Sequence, residues 1–160
     1  MMMKRLTEFL ESNGIVFEMF HHRADFRARE TASDTGTPSR DFAKTVFVNI
    51  DGRFAMAVLP ATHTVSPARL AESLDADDVR LATEAEMKDL CPDAEVGAAP
   101  PFGNLFDLSV YVCPALARDE HITFNAGTHS DAVKILYADF DRLVTPMVVH
   151  MSKHEEEFIG

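Results

Sequence analysis

The amino-acid sequence predicts an α+β fold in which separate helices flank a mixed β-sheet. The first observation is a hairpin, because the β-branched and aromatic segments 43–50 and 53–59 flank Asp51-Gly52, a dipeptide typical of two-residue turns. The second is that the other strand-like segments do not alternate with helices regularly enough for a doubly wound fold. The length of 160 residues suits one domain spanning residues 1–160.

The remaining elements follow from local signals. A helix is expected over 4–13, ended by Gly14, and two more begin at the capping sequences Ser66-Pro67 and Thr83 to Glu86. Residues 21–37 read as a polar loop, and 147–160 as a tail outside a core of about 15–145. We expect the other strands at 15–20, 79–82, 107–113, 121–125 and 131–136, and a last helix at 139–144.

Composition limits the partners. No apolar run approaches the roughly 20 residues that span a bilayer, so we expect a cytoplasmic protein with no membrane partner. The net charge of −11 argues against a general nucleic-acid coat and against DNA as a partner. Residues 1–44 carry seven basic and seven acidic side chains, so the negative excess lies in 45–160. Five basic residues form a cluster near the N-terminus: Arg23, Arg27, Arg29, Arg40 and Lys44. Such a cluster could bind the end of a nucleic acid, or it belongs to a solvated loop.

Lys44 is the least expected residue of the hairpin, since it opens an apolar strand. Two interpretations are open. Its amine lies in water at the strand end, or the side chain lies in a cleft, where a partly desolvated ammonium requires an anion.

Two loops carry the other candidate groups. The segment 95–103 (EVGAAPPFG) places two prolines between two glycines, so we expect it to be stiff with an exposed backbone. Its N–H groups suit an oxyanion, or the segment is a rigid connector. In the turn 124–129 (FNAGTH), Asn125 and His129 could bind a ligand, although such a turn needs none.

Familiar catalytic signatures are absent from the sequence. There is no GxSxG, HExxH, GxxxxGK[ST] or GxGxxG motif, which argues against serine-triad and zinc hydrolases, P-loop NTPases and Rossmann dehydrogenases. His150 and His154 have a metal-compatible spacing but no fixed third ligand. We expect no metal and no cofactor.

Lys44 opening a strand, then Gly97, Pro101, Phe102 and Gly103 in one loop, then Asn125-Ala126-Gly127 in a turn, form an ordered set. This set resembles the YbaK/prolyl-tRNA synthetase-associated domain family, over roughly residues 15–145. The resemblance implies a curved mixed sheet flanked by helices. It also implies a trans-acting deacylase that hydrolyses the ester of mischarged tRNA.

The same resemblance implies site residues. Lys44 and Gly97 correspond to the family's catalytic positions, beside the terminal adenosine and the scissile carbonyl. Substrate contacts are expected around them, and the arginine cluster is expected to meet the acceptor end of tRNA. An aminoacyl-tRNA synthetase is a possible partner. The residues expected to contact substrate are Ala98, Pro101, Phe102, Gly103, Asn125, Gly127 and His129.

Two positions depart from the family pattern. Ala98 stands where many relatives carry a second glycine, which narrows the expected amino-acid pocket, and the turn 125–129 differs from better-known versions. Two alternatives therefore stay open beside deacylation: a non-catalytic binding module of the same fold, for a small aminoacyl ligand or a protein, and a hydrolase of another small ester or amide.

Overall fold

The structure, a computed structural model, describes residues 3–21 and 42–153. The helices in this part are α1 (Lys4–Ser12), α2 (Pro67–Leu74), α3 (Glu84–Leu90), α4 (Pro114–Ala117) and α5 (Tyr137–Val144), with a 3-10 helix at Gly103–Leu105. The strands are β1 (Glu18–His21), β2 (Phe42–Ile50), β3 (Arg53–Pro60), β4 (Val79–Leu81), β5 (Ser109–Val112), β6 (His121–Asn125), β7 (Asp131–Leu136) and β8 (Met147–Val148).

All described strands belong to one mixed sheet with the order β1-β7-β6-β2-β3-β5-β8, and β4 pairs with β2 beside this path. The hairpins β2–β3 and β6–β7 are antiparallel, as are β1–β7 and β2–β4. The pairs β2–β6, β3–β5 and β5–β8 are parallel. The α+β prediction with a mixed sheet is confirmed.

Local signals account for most element ends. Asp51 and Gly52 both have positive φ, of 50° and 90°, as the two-residue hairpin turn requires. The Ser66 hydroxyl accepts the Arg69 N–H at the start of α2. The Thr83 hydroxyl accepts the Glu86 N–H, while the Glu86 carboxylate accepts the Thr83 N–H, which is the expected capping box.

Three expectations differ from the structure. The first strand begins at Glu18 rather than residue 15, because the Ile15 N–H still bonds to the Leu10 carbonyl at the end of α1. The last helix begins at Tyr137, directly after β7, rather than at 139. The short elements α4 and β8 were not predicted, since four and two residues are too few to show a periodicity.

Strand β2 has different neighbours along one of its edges. Its first residues, Phe42 and Ala43, pair in parallel with β6, whereas Val48 to Ile50 pair antiparallel with β4. Within the described residues, no strand pairs with this edge between Lys44 and Val46. The sheet is therefore split at Lys44, while the opposite edge of β2 pairs continuously with β3.

The main core lies on one face of this sheet. Phe102 is fully buried there and meets Phe9, Phe124 and Phe140 edge to face, with ring centroids 5.5–5.9 Å apart. A second cluster on the other face includes Val48, Leu59, Leu70 and Met151. The segment 98–103 is thus anchored to the larger core through Phe102.

Gly103 leaves no room for a side chain, since an added Cβ would overlap the Leu108 carbonyl oxygen and approach Val110. We predict that Gly103→Ala lowers the free energy of unfolding by about 1–3 kcal/mol, the usual cost of overpacking. Urea unfolding measures this change. Asn104→Ala is the matched control in the same 3-10 helix, where exposure limits the change to about 0.5 kcal/mol. Equal stability of the two variants would contradict the prediction.

Candidate active site

Lys44 lies on β2 where the sheet splits, with its side chain half-buried. Burial lowers the pKa of its ammonium from the ordinary value. Within the described residues, no carboxylate forms a salt bridge with Lys44. A partly desolvated ammonium without a fixed counter-ion favours an anionic ligand. Of the two interpretations of the sequence, the structure favours the cleft over a lysine standing free in water.

Asn125 is the residue of β6 next to Lys44. The register pairs Phe42 with Thr123 and Ala43 with Phe124, so Lys44 and Asn125 would form the next pair, where the ladder ends. Directly opposed side chains point to the same face of a sheet. The Oδ1 atom of Asn125 is buried and has no hydrogen-bond partner in the described part of the chain. A buried unpaired acceptor beside a lysine indicates a polar site.

The glycine-rich loop 95–103 is less exposed than expected. Gly97 is exposed and has a φ of 85°, which favours glycine. Ala98 to Gly103 are buried, so the predicted exposed backbone is limited to the start of the loop. The Ala98 N–H donates to the Glu95 carbonyl. Among the described residues, no hydrogen bond takes up the N–H of Gly97 or Ala99.

Two residues expected to contact substrate, Phe102 and Gly103, pack against core groups. Phe102 is buried among three aromatic rings, and Gly103 packs against Leu108 and Val110, so both act in the core behind the loop. Pro101 is also buried. The packing of Phe102 and Gly103 holds the loop in place.

The turn after β6 is bonded to this loop at several points. The Gly127 N–H donates to the Ala98 carbonyl over 2.9 Å, and the Glu95 N–H donates to the Gly127 carbonyl over 2.8 Å. The His129 N–H donates to Glu95 Oε1 over 2.6 Å, and His129 Nε2 lies 2.7 Å from the Val96 carbonyl oxygen. A carbonyl only accepts, so Nε2 carries the proton. His129 therefore supports the loop, a role that differs from the expected ligand contact.

Asp131 fixes the other end of this turn. Its buried carboxylate accepts the Thr128 hydroxyl over 2.6 Å and lies 2.9 Å from His21 Nδ1. Burial raises the pKa of the Asp131 carboxyl, but hydrogen bonds including those from Thr128 and His21 outweigh it, and the pKa falls to about 2. The Ala126 N–H also donates to the Asp131 carbonyl. The turn is thus closed by both the backbone and the side chain of one residue.

Sequence reasoning missed Glu95, Thr128 and Asp131 as site residues. Their contacts span residues up to 110 positions apart, as between His21 and Asp131, so no local spacing revealed them. The arginines predicted to meet tRNA lie outside the described residues, as does His154: Arg23, Arg27, Arg29 and Arg40. The described residues contain no group of three side chains placed to bind a metal, and none of their helices is long and apolar enough to cross a membrane.

Two clefts lie elsewhere on the described surface. One, of about 580 Å³, lies between the β2–β3 hairpin and residues 106–111. The other, of about 250 Å³, lies beside β1 and β7. Neither is lined by Lys44 or Gly97. Volume alone would therefore favour the first cleft as the active site. The unpaired Asn125 oxygen and the partly desolvated Lys44 favour the split in the sheet instead, because catalysis requires polar groups.

Asp131 predicts a loss of stability in acid. Its folded pKa of about 2 lies below the ordinary 3.8, so its contribution to stability is complete above pH about 4 and is lost as the pH falls through 2. We predict that the free energy of unfolding falls by about 2 kcal/mol more in the native protein than in Asp131→Asn over this range. Urea titrations at pH 5, 4, 3 and 2 measure it, and parallel curves would contradict it.

Comparison with known proteins identifies the family of the chain. The aminoacyl-tRNA editing domain model matches residues 22–143. The multifunctional Ser/Thr-tRNA deacylase ProXp-y of Escherichia coli K12 is 27% identical over 155 residues, which cover 94% of this chain and 92% of that protein.

Solved structures share the fold. A candidate trans-editing enzyme for prolyl tRNA synthetase superposes with a TM-score of 0.82 at 18% identity, covering 94% of this chain and 96% of that one. A scaffold for epitope grafting by computational design reaches a TM-score of 0.83 at 16% identity, covering 94% and 97%. The family predicted from Lys44 and the Gly97 loop is confirmed: the chain belongs to the aminoacyl-tRNA editing domain family.

Proposed function

We propose that this chain is a trans-acting aminoacyl-tRNA deacylase that hydrolyses the ester of mischarged tRNA at the split between β2 and β6. Family membership supports the reaction class. One observation carries the assignment to this site: hydrogen bonds join the loop of Gly97 to the turn that begins next to Lys44. Gly97 is exposed, and its N–H has no hydrogen-bond partner among the described residues. Asn125 ends β6 beside Lys44, and Gly127, two residues later, donates to Ala98.

Lys44 has the role of a binding group for negative charge. Its ammonium is partly desolvated and has no salt-bridge partner in the described chain, so a phosphate or a developing oxyanion would restore the interactions that burial removed. Such a preorganised charge stabilises a transition state more strongly than a solvated one. Asn125 Oδ1 can accept a hydrogen bond from a substrate hydroxyl or amine, which would satisfy its unpaired oxygen.

The loop at Gly97 has the role of an oxyanion site. The N–H groups of Gly97 and Ala99 are not used within the described residues, and hydrogen bonds from Glu95, Gly127 and His129 hold the loop that carries them. Donors that do not move during the reaction avoid a reorganisation cost. An aminoacyl ester is already activated, so positioning and charge stabilisation supply much of the catalysis.

The tRNA contacts and partners are a further part of the proposal. We assign the acceptor end of tRNA to Arg23, Arg27, Arg29 and Arg40 on their charge, since Lys and Arg neutralise phosphates. We assign the enzyme to the cytoplasm, where tRNA is charged. With a net charge of −11, its own affinity for tRNA is limited, so an aminoacyl-tRNA synthetase is the partner we favour.

Replacement of Lys44 tests the assignment. We predict that Lys44→Ala lowers single-turnover deacylation by about 100-fold, because it removes a preorganised charge from the transition state. Proline tRNA charged with alanine or cysteine, and tRNAs mischarged with serine or threonine, form the substrate panel. Release of the labelled amino acid is the measurement.

The control is Lys88→Ala, which removes an exposed lysine on α3 whose ammonium lies 3.8 Å from Glu84. Its activity is expected to equal that of the native protein. Release of the amino acid by neither protein from any tRNA, with folding verified by circular dichroism, would leave the binding module as the better function. Hydrolysis of free esters without the terminal adenosine would favour a general esterase.

Ala98 predicts how the amino acid is selected. It is fully buried at the start of the loop, where a methyl group occupies space that a glycine would leave open. We predict that Ala98→Gly raises the relative rate for the larger amino acids of the panel by about threefold to tenfold, since one methylene in a pocket contributes about 1–3 kcal/mol at most. Ratios of initial rates measure this, and unchanged ratios would place Ala98 outside the pocket wall.

A further inference from the structure

Arg5, in the first turn of α1, bonds to the chain on both sides of the glycine-rich loop 95–103. Its Nε atom donates to Asp93 Oδ2 over 2.8 Å, and its Nη2 atom donates to Asp93 Oδ1 over 2.7 Å. The third donor, Nη1, bonds to the Leu105 carbonyl. Asp93 precedes the loop by two positions and Leu105 follows it by two. One guanidinium therefore joins the two ends of the loop.

These contacts use the planar shape of the guanidinium as well as its charge. Two parallel N–H groups meet both oxygens of one carboxylate, while the flat face of Arg5 lies over the Phe106 ring, 4.6 Å from its centroid. The hydrogen bonds between them raise the pKa of Arg5 and lower the pKa of Asp93, so both groups are charged at neutral pH. A lysine supplies the charge without this fixed fork of donors.

The start of the same helix also contacts the turn after β6. The N–H of Met3, the residue before α1, donates to the Ala126 carbonyl over 2.9 Å. A Cβ added to Gly127 would lie only 2.7 Å from the Met3 Cβ, so backbone and side chain pack closely at this point. Two positions of one chain segment, Met3 and Arg5, thus hold the turn and the ends of the loop relative to each other.

The position of Asp93 bears on the Gly97 N–H through a short piece of chain. Glu95 lies between them, and its N–H donates to the Gly127 carbonyl over 2.8 Å. The segment 93–97 is therefore attached to α1 at its start and to the turn at its middle. A donor assists catalysis only when it is held within about 0.5 Å of the productive position, and a misplacement of about 1 Å can lower a rate by about 100-fold.

The Arg5–Asp93 pair lies at the surface, which separates its effect on the loop from an effect on folding. The two side chains are 44% and 38% exposed. Ion pairs with this exposure contribute little to the stability of a whole domain. Loss of the pair should therefore leave the protein folded, while the ends of the loop gain local freedom.

We propose that Arg5 is a positioning residue of the deacylation, which holds the Gly97 N–H in place against the turn after β6. The inference rests on the proposed function and adds a residue outside the site on which its geometry depends. Arg5 acts through the loop and not on the substrate. Its contribution is consequently to the chemical step, in which the oxyanion develops, and not to the binding of tRNA.

Single-turnover deacylation at a series of protein concentrations tests this role, because it separates the maximal rate from the half-saturating concentration. We expect Arg5→Ala to lower the maximal rate by about tenfold or more and to leave the half-saturating concentration unchanged. Arg5→Lys should lose nearly as much, since it keeps the charge but not the fork. Lys4→Ala is the matched control: it removes an equal charge from the same turn, 88% exposed and 3.8 Å from Glu8. It should keep both native values.

Chemical rescue separates positioning from a general loss of structure. Added guanidinium ion, at millimolar concentration, should restore part of the maximal rate of Arg5→Ala, because the Asp93 carboxylate is accessible. It should not restore the double variant Arg5→Ala/Asp93→Ala, which lacks that carboxylate. Equal rescue of the two variants would overturn the inference.

The remaining outcomes distinguish this inference from the proposed function. An active native protein whose Arg5→Ala variant keeps the native maximal rate, or loses activity only through a higher half-saturating concentration, would overturn the role of Arg5 alone. A native protein that releases no amino acid from any tRNA would overturn the proposed function together with the role of Arg5.

Discussion

The structure depends on how β2 divides its hydrogen bonds. A central strand normally pairs with one neighbour along each edge, yet β2 pairs with β6 through Phe42 and Ala43 and with β4 through Val48 to Ile50. Two neighbours cannot meet the same edge without a gap, and the gap falls at Lys44. Without this gap, Lys44 would lie in an unbroken ladder of backbone hydrogen bonds on both edges of β2. Lys44 is only partly buried at this split, while β2 stays in the core through its pairing with β3.

The second constraint is the attachment of two loops to each other. Residues 95–98 and 126–129 exchange backbone hydrogen bonds, and the side chains of Glu95 and His129 add two more at 2.6 and 2.7 Å. The bond to the Glu95 carboxylate is charge-assisted, and such bonds are stronger than neutral ones. Phe102 attaches the first loop to the aromatic core, and Asp131 closes the second. Gly97 is therefore exposed in a loop that hydrogen bonds and the aromatic core hold in place.

The sequence was most informative where a local rule determines local structure. The Asp51-Gly52 turn, the Ser66 cap and the capping box at Thr83 each depend on residues within three positions, and all three are observed. Lys44 and Gly97 were singled out because a lysine in an apolar strand and a bare proline-rich loop are unusual in composition. Their roles in catalysis stay predictions.

The features that the sequence did not reveal depend on contacts between residues that are far apart in the chain. Phe102 was expected beside substrate, but only the folded chain brings three aromatic rings around it. Asp131 contacts His21 across 110 positions of sequence, and neither residue belongs to a recognisable motif. The exposure of the loop 95–103 was overestimated because its small side chains do not reveal which neighbours cover it. Only the folded chain shows those neighbours, and they bury residues 98–103.

The uneven distribution of charge has a consequence for turnover. Residues 1–44 carry equal numbers of basic and acidic side chains, while the rest of the chain carries the whole negative excess. A polyanion approaching the acidic body is repelled, so productive encounters are restricted to one orientation. The same repulsion limits how long a nucleic acid stays bound after the reaction. An editing factor built this way would trade affinity for rapid dissociation, and would leave correctly charged tRNA available for protein synthesis.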